Sequence, residues 1–429
     1  MIDQNGPEER AYLVGVRARE QNDSADALLA ELRALCEAIG LKTAGQETVT
    51  VREVSPRYYL GTGKAEEIAQ RAEELEADVI VFDEELSPSQ QRNWEKLADR
   101  AVTDRQAIIL DIFAERAQTR EARLQVDLAR YEYMLPRLTS AWSHLSRQRG
   151  GRRGTRGEGE TQLEVDRRIA QQRIAGIKRD LRTVETQRAV SRRQRNELPV
   201  PNGSIVGYTN AGKSSLLRAL TGSEVLVANK LFATLDPATR RLELEGGQEV
   251  LVTDTVGFIR RLPHGLVNAF KSTLEETLLA AFLIHVIDAA DPAAVDHARI
   301  TREVLGEIGS RDKPTIQVLN KIDTVKPEDL DFARLTFPDA VPVSAVTGAG
   351  LDALRERIRD IVSDTYARID VAIPHARYDL AALIHRTGRV LEEQHADGTV
   401  NIRADVPERT RRIVQEFRSV GRRDERGTS

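Results

Sequence analysis

The strongest chemical signal is a glycine-rich segment at residues 207–215 that ends in a lysine and two serines. It matches the pattern G-x-x-x-x-G-K-S and lies between a run typical of a strand and a run typical of a helix, as a phosphate-binding loop requires. The loop amides point at phosphate oxygens, the lysine adds a charge, and the first serine hydroxyl suits Mg²⁺. We therefore predict a nucleoside triphosphate site, with Lys213 catalytic and Ser214 a magnesium ligand, made by Gly207, Tyr208, Thr209, Asn210, Ala211, Gly212, Lys213, Ser214 and Ser215.

A second motif, Asn320-Lys321-Ile322-Asp323, follows a predicted strand and indicates which base is bound. The Asp323 carboxylate can accept hydrogen bonds from N1–H and the exocyclic amine of guanine, whereas adenine has no matching pair of donors. Asn320 and Lys321 would support this pocket. Ser344 and Ala345 follow a further predicted strand, and their backbone amides would close over the guanine oxygen. We therefore predict that the ligand is GTP or GDP.

Residues 251–257 supply the remaining parts of a triphosphate site. A predicted strand leads to Asp254, which can hold Mg²⁺, and to Gly257, whose amide can donate to the γ-phosphate and is predicted to be catalytic. Thr234 is a candidate for the second hydroxyl on Mg²⁺ and is also predicted to be catalytic, although other threonines lie nearby. Phe258 stands where many GTPases place a glutamine that orients the attacking water. We therefore expect slow intrinsic hydrolysis that a partner stimulates.

Composition excludes several classes of protein. The chain of 429 residues has a net charge of −4, which excludes a globally basic nucleic-acid coat protein, and its 4% aromatic content disfavours base-stacking platforms. The single cysteine, Cys36, excludes a disulfide framework, and the seven histidines lack the spacing of a zinc site. Because no apolar run is long enough for a membrane span and the N-terminus lacks a signal peptide, we expect a cytoplasmic protein. Loose membrane association is the alternative. We also predict that it is a monomer.

The spacing of apolar residues predicts an α/β multidomain protein. Strands at 12–16, 49–54, 78–82 and 107–112 alternate with helices at 24–39, 64–75 and 87–97, which indicates a small parallel α/β subdomain. The C-terminal region is expected to fold as strand, helix (379–391), strand and helix, followed by a disordered tail. The predicted domains are the N-terminal α/β subdomain (1–117), a long helical hairpin (118–198), a P-loop GTPase domain (199–366) and a small α+β domain (367–429).

Two heptad-like seams support the hairpin: Leu124, Leu128, Tyr131, Leu135 and Leu138, then Ile174, Ile177, Leu181 and Val184. Between them, residues 146–162 contain too much glycine for a helix, so we expect a loop at 147–160 near the tip of an antiparallel pair. Its arginines would bind the RNA backbone, because guanidinium groups suit phosphate oxygens; these are Arg147, Arg149, Arg152, Arg153 and Arg156. The alternative is a solvated linker.

Several segments resemble the HflX family of ribosome-associated GTPases over essentially the whole chain. They are GYTNAGKSS at 207–215, LFATLDPATR at 231–240, DTVGFIRRLP at 254–263, NKID at 320–323, YYLGTGKAEEI at 58–68 and RGEGETQLEVDRR at 156–168. The resemblance places the magnesium-binding switch threonine at Thr234. It also implies binding to the large ribosomal subunit, with the glycine-arginine loop reaching rRNA near the peptidyl transferase centre, and a role in separating ribosomal subunits.

The resemblances leave four alternatives open. Asn210 resembles the asparagine of potassium-stimulated GTPases, which suggests K⁺ beside Mg²⁺, but a loop-stabilising asparagine is equally consistent. The N-terminal domain of the family has been proposed to bind ATP, for which residues 61–64 (GTGK) are the local candidate; a glycine turn before a helix explains them better.

The function of the whole protein also has alternatives. A GTP-dependent RNA-binding assembly scaffold without splitting activity is the alternative function. A third possible function is that this chain acts as a partner in RNA modification. That function would need a second enzyme or a reactive cysteine.

Overall fold

The computed structural model describes residues 9–18, 25–138, 156–196, 200–222, 232, 234–245, 248–260, 276–363, 366–396 and 398–418. These residues form two compact units. The first contains the described residues up to 187 together with 232 and 234–236, and the second contains the others. None of the helices within these ranges is long and apolar enough to cross a membrane. The predicted bounds of the four domains stay predictions.

The first unit contains the predicted parallel α/β subdomain. In chain order its elements are β1 (Arg10–Ala18), α1 (Ala25–Ala38), β2 (Lys42–Val51), α2 (Thr62–Glu74), β3 (Val79–Phe82), α3 (Pro88–Ala98), β4 (Ala101–Asp104) and α4 (Arg105–Arg116). The strands pair in parallel in the order β2-β1-β3-β4. Trp94 is fully buried in its core, where its ring contacts Tyr58 and Phe82.

The predicted strand at 107–112 is wrong, because these residues lie in helix α4. The side chain of Asp104 accepts a hydrogen bond from the Ala107 amide and caps this helix. Ile108, Ile109 and Ile112 are buried, and this spacing places them on one face of a helix. The fourth strand is β4 instead. A short apolar run does not distinguish a buried helix from a buried strand.

Two helices follow in the first unit: α5 (Arg120–Met134), which continues into a 3₁₀ turn at Leu135–Arg137, and α6 (Arg156–Asn196), which extends past this unit at its C-terminal end. The residues of both predicted seams are half-buried, except for Ile177, which is buried. The Lys178 ammonium lies 2.8 Å from the Glu132 carboxylate and joins the two helices. Pro136 lies in the 3₁₀ turn, where helix α5 ends.

The predicted loop at 147–160 is wrong over its last residues. Helix α6 begins at Arg156 and includes Gly157 and Gly159. A glycine costs about 1 kcal/mol in a helix, but each residue added to an existing helix gains a hydrogen bond, so glycines at the end of a helix of 41 residues are tolerated. The other four arginines lie outside the described residues; they are Arg147, Arg149, Arg152 and Arg153.

The second unit contains a six-stranded sheet. Its elements are β5 (Asn202–Gly207), α7 (Lys213–Thr221), β6 (Ala238–Glu243), β7 (Glu249–Asp254), β8 (Phe282–Asp288), α8 (Ala294–Glu307), β9 (Thr315–Asn320), α9 (Pro327–Thr336), β10 (Val341–Pro342) and α10 (Leu351–Ser363). The strand order is β10-β9-β8-β5-β7-β6, and β6 is antiparallel to its neighbour while the other pairs are parallel. The carboxyl ends of β5, β7 and β9 therefore meet at one edge, where ligands bind in open α/β sheets.

A three-stranded antiparallel sheet ends the second unit. Its elements are β11 (Ala367–Pro374), α11 (Tyr378–Thr387), β12 (Arg389–Ala396), β13 (Thr399–Val406) and α12 (Glu408–Val414), with the strand order β11-β13-β12. The predicted helix at 379–391 is too long, because it stops before Gly388. A Cβ at Gly388 would lie 2.6 Å from Val406 Cγ1. Strand β12 was missed because its residues are mostly exposed and polar. The predicted disordered tail lies outside the described residues.

Candidate nucleotide-binding site

The glycine-rich segment lies between β5 and α7, in the strand–loop–helix arrangement predicted from the sequence. Gly212 precedes α7 with a φ of +90°, which side chains rarely allow. A Cβ at Gly212 would also lie 2.3 Å from Asn320 Nδ2. The second glycine of the motif is therefore required both by the backbone conformation and by the approach of a distant loop.

Lys213 lies inside the loop and is only 6% exposed. Its ammonium donates a hydrogen bond of 2.9 Å to the carbonyl oxygen of Tyr208. Burial lowers the pKa of Lys213 to about 8, while the negative charge of Asp254 acts in the opposite direction. A phosphate bound beside this ammonium would favour its charged form.

Two of the predicted magnesium ligands contact each other. Ser214 donates from Oγ to Oδ2 of Asp254 at 2.6 Å, and Asp254 is fully buried at the end of β7. A hydroxyl oxygen beside a carboxylate is the kind of donor set that Mg²⁺ prefers. Thr234, the third predicted ligand, is half-buried and belongs to the first unit, so its role as a magnesium ligand stays a prediction.

Gly257 approaches the loop so closely that a side chain would not fit. A Cβ there would lie 2.7 Å from Thr209 Cα and 2.9 Å from Lys213 Nζ. The next residue, Phe258, is 2% exposed, and its backbone pairs with the loop on both sides. Its amide donates to the Gly207 carbonyl at 3.0 Å, and its carbonyl accepts from the Thr209 amide at 2.7 Å. The aromatic side chain at this position therefore points into the packed interior.

On the base side, Asn320 joins two of the predicted loops. Its Nδ2 donates to the Ala211 carbonyl at 2.9 Å, and its Oδ1 accepts from the Ala345 amide at 3.2 Å. The hydroxyl of Ser344 donates to Asp323 Oδ1 at 2.6 Å, and the Asp323 side chain is exposed at the end of the cluster. The structure thus brings these residues together at the sheet edge.

Sequence reasoning missed two contacts next to this cluster. Asp288 ends strand β8, and its carboxylate lies 2.6 Å from the Lys321 ammonium. An acidic residue directly after a buried strand is a signal that would have found it. The second missed contact is the stacking of the Tyr208 ring on His297, with ring centroids 3.6 Å apart and an 8° interplanar angle. No sequence pattern indicates this pair.

The structure also bears on three alternative readings. Asn210 is exposed with a φ of +59°, which asparagine tolerates well; this fits a loop-stabilising residue, and K⁺ beside it stays a prediction. At residues 61–64, the Lys64 ammonium lies 2.8 Å from Glu47 and 3.0 Å from Glu67, which favours a glycine turn over an anion site. Cys36 is buried, and burial raises the pKa of its thiol to about 12, so it is not a reactive nucleophile.

Four family models match consecutive parts of the chain. They are GTP-binding GTPase N-terminal (26–114), GTP-binding GTPase Middle Region (116–195), 50S ribosome-binding GTPase (202–321) and HflX C-terminal domain (334–425). The chain is 48% identical to "GTPase HflX" of Akkermansia muciniphila over 413 residues, which cover 93% of this chain and 94% of the relative. The chain belongs to the HflX family of GTPases. The HflX relative from Escherichia coli is 41% identical over 410 residues, covering 95% of this chain and 96% of the relative.

Membership in the HflX family confirms the predicted fold class and activity. The chain is a GTP-binding GTPase, with a P-loop GTPase domain between an N-terminal subdomain and a C-terminal domain. A solved structure described as "SsGBP and GDP complex" is 26% identical, with a TM-score of 0.45, and the match covers 82% of this chain and 98% of that one. P-loop GTPases use Mg²⁺ with the nucleotide, and the contact between Ser214 and Asp254 fits that ion.

Proposed function

We propose that this GTPase binds the large ribosomal subunit when GTP is bound and promotes the separation of ribosomal subunits. The match of residues 202–321 to a 50S ribosome-binding GTPase carries the proposal. The nucleotide site supports it, because the Lys213 ammonium contacts the Tyr208 carbonyl of the phosphate loop and the Ser214 hydroxyl contacts the Asp254 carboxylate. This places the function in the cytoplasm, where ribosomes work.

Within this proposal, each residue of the site has a separate task. Lys213 provides a positive charge to the β and γ phosphates, Gly257 offers its amide to the γ-phosphate, and the Asp323 carboxylate binds guanine. Ser214, Thr234 and Asp254 would hold Mg²⁺, which neutralises phosphate charge when it is bound. K⁺ beside Asn210 is a further proposed cofactor, and GTP turnover that is equal in KCl and NaCl would contradict it.

Slow intrinsic hydrolysis follows from Phe258. Its side chain has no polar atom and is 2% exposed, so it cannot orient an attacking water. We expect the ribosomal particle to order the segments around the γ-phosphate or to supply a polar group, as activating partners do for other GTPases. Hydrolysis would then release the chain from the particle.

Sedimentation of intact ribosomes distinguishes this proposal from an assembly scaffold without splitting activity. Ribosomes are mixed with the chain and GTP, GDP or a non-hydrolysable GTP analogue, and the particles are separated on a gradient. Free subunits that appear with GTP or its analogue, but not with GDP, support splitting. Intact ribosomes that carry the chain support the scaffold. Lys213→Ala is the matched control, because it should abolish GTP binding and therefore any effect of the nucleotide.

The arginine-rich segment is proposed to contact rRNA near the peptidyl transferase centre. Replacing Arg152, Arg153 and Arg156 by glutamine should weaken binding to the large subunit and lower the slope of log affinity against log salt by about 2. The matched control removes three exposed arginines of the second unit: Arg334, Arg357 and Arg412. An unchanged salt slope in the first variant would leave the segment as a linker.

A further inference from the structure

Tyr208, the second residue of the phosphate loop, contacts the segment that follows Gly257 through its side chain. Its hydroxyl accepts a hydrogen bond of 2.8 Å from the backbone amide of Arg260, and this contact is buried. The motif G-x-x-x-x-G-K-S leaves this position undefined, and its side chain has no role in binding phosphate through backbone amides. Phosphate binding therefore does not explain the contact between the Tyr208 hydroxyl and the Arg260 amide.

Within the described part of the chain, three hydrogen bonds join the loop to residues 258–260. Two of them are between backbone atoms, Phe258 N–H to the Gly207 carbonyl and Thr209 N–H to the Phe258 carbonyl, and many sequences could form them. The third needs a hydroxyl at the distance that a tyrosine side chain spans. The Tyr208 hydroxyl thus holds the backbone at Arg260, two residues beyond the last backbone contact with the loop at Phe258.

The ring of Tyr208 is itself held in place. It is 5% exposed and lies parallel to the imidazole of His297 on helix α8. His297 Nδ1 lies 3.0 Å from the Asp291 carboxylate, which orients the imidazole. Because the ring is stacked on an oriented partner, the position of its hydroxyl is defined, and so is the position of the Arg260 amide.

The attached segment follows directly after Gly257, whose backbone amide is the proposed donor to the γ-phosphate. Gly257 lies so near Lys213 that a Cβ would be 2.9 Å from its ammonium nitrogen. Since Phe258 provides no polar side chain for the attacking water, the geometry of hydrolysis depends on where this backbone lies. We propose that Tyr208 is a positioning residue for GTP hydrolysis, because its hydroxyl holds residues 258–260 so that Gly257 stays beside Lys213.

The test compares Tyr208→Phe with Tyr366→Phe in the full chain. Tyr366 is the matched control, because its hydroxyl also accepts one hydrogen bond within the second unit, from Gln248 Nε2 at 2.7 Å, away from the nucleotide site. The measurements are single-turnover GTP hydrolysis at saturating GTP without ribosomal particles, the GTP dissociation constant, and thermal unfolding to verify that both variants fold.

Tyr208→Phe should lower the hydrolysis rate about threefold to tenfold, as expected for the loss of one hydrogen bond that sets geometry, with the dissociation constant of GTP within about twofold of the parent. Tyr366→Phe should keep the parental rate. A second variant, His297→Ala, removes the stacking partner and should lower the rate in the same direction. A parental rate in Tyr208→Phe, or an equal loss in Tyr366→Phe, would overturn the proposal. The experiment involves no ribosomes and is independent of the proposed splitting function.

Discussion

Raising the pH above 8 should weaken nucleotide binding because the Lys213 ammonium loses its charge. Burial lowers its pKa to about 8 in the protein without nucleotide. A bound phosphate favours the charged ammonium, so the pKa in the complex is higher than in the free protein, and binding takes up a proton when the free lysine is neutral. The affinity is therefore full only well below pH 8 and decreases as the pH rises through that value.

The size of the effect follows from the fraction of Lys213 that is charged. With a pKa of about 8, this fraction falls from about three quarters at pH 7.5 to about one tenth at pH 9, so the affinity should fall about eightfold. Calorimetric titration with GDP at several pH values measures this change.

Lys213→Arg is the matched control for other groups that titrate in this range, including the guanine base. An arginine stays protonated at these pH values, so the affinity of this variant should depend on pH only through those other groups. If the parent and Lys213→Arg lose the same affinity between pH 7.5 and 9, or if the parent loses none, the reasoning about the buried ammonium is wrong.

Three further changes test separate parts of the structure. Asp323→Asn should shift the base preference from guanine to xanthine nucleotides, because the amide presents a donor where the carboxylate accepts; unchanged selectivity in competition binding would remove Asp323 from the base pocket. Gly257→Ala should lower GTP hydrolysis at least about tenfold while GDP still binds, since the new Cβ would lie 2.7 Å from Thr209 Cα. Asp236→Ala should destabilise the first unit by about 1–3 kcal/mol in urea unfolding, because its carboxylate accepts hydrogen bonds from the amide and the hydroxyl of Thr119. Unfolding at the parental urea concentration would show that those bonds add no stability.

The parts of the fold that could be predicted are those specified by local sequence. The phosphate loop and the strands around it follow from residue types at fixed spacing, and the core residues of the first unit follow from apolar periodicity. Helix α4 was read as a strand because its run of isoleucines suits both structures, and only the Asp104 cap and burial on one face decide between them. The sequence of strand β12 shows no alternation of apolar and polar residues that would have indicated a strand, because its residues are mostly exposed.

For the nucleotide site, residue types could be predicted but most of their partners could not. A motif indicates that Asn320 belongs near guanine, yet its bonds to Ala211 and Ala345 depend on how three loops meet at the sheet edge. The contact between Tyr208 and Arg260 joins residues 52 positions apart, and neither residue type predicts the other. Such pairs arise from the packing of strands and loops rather than from a local pattern.

The proposed link between the nucleotide site and the ribosome is tested most directly by GTP turnover with increasing amounts of purified large or small ribosomal subunits. We predict a slow basal rate, a rise that saturates with large subunits, and no rise with small subunits. Turnover that stays at the basal rate at every concentration of large subunits would contradict the account.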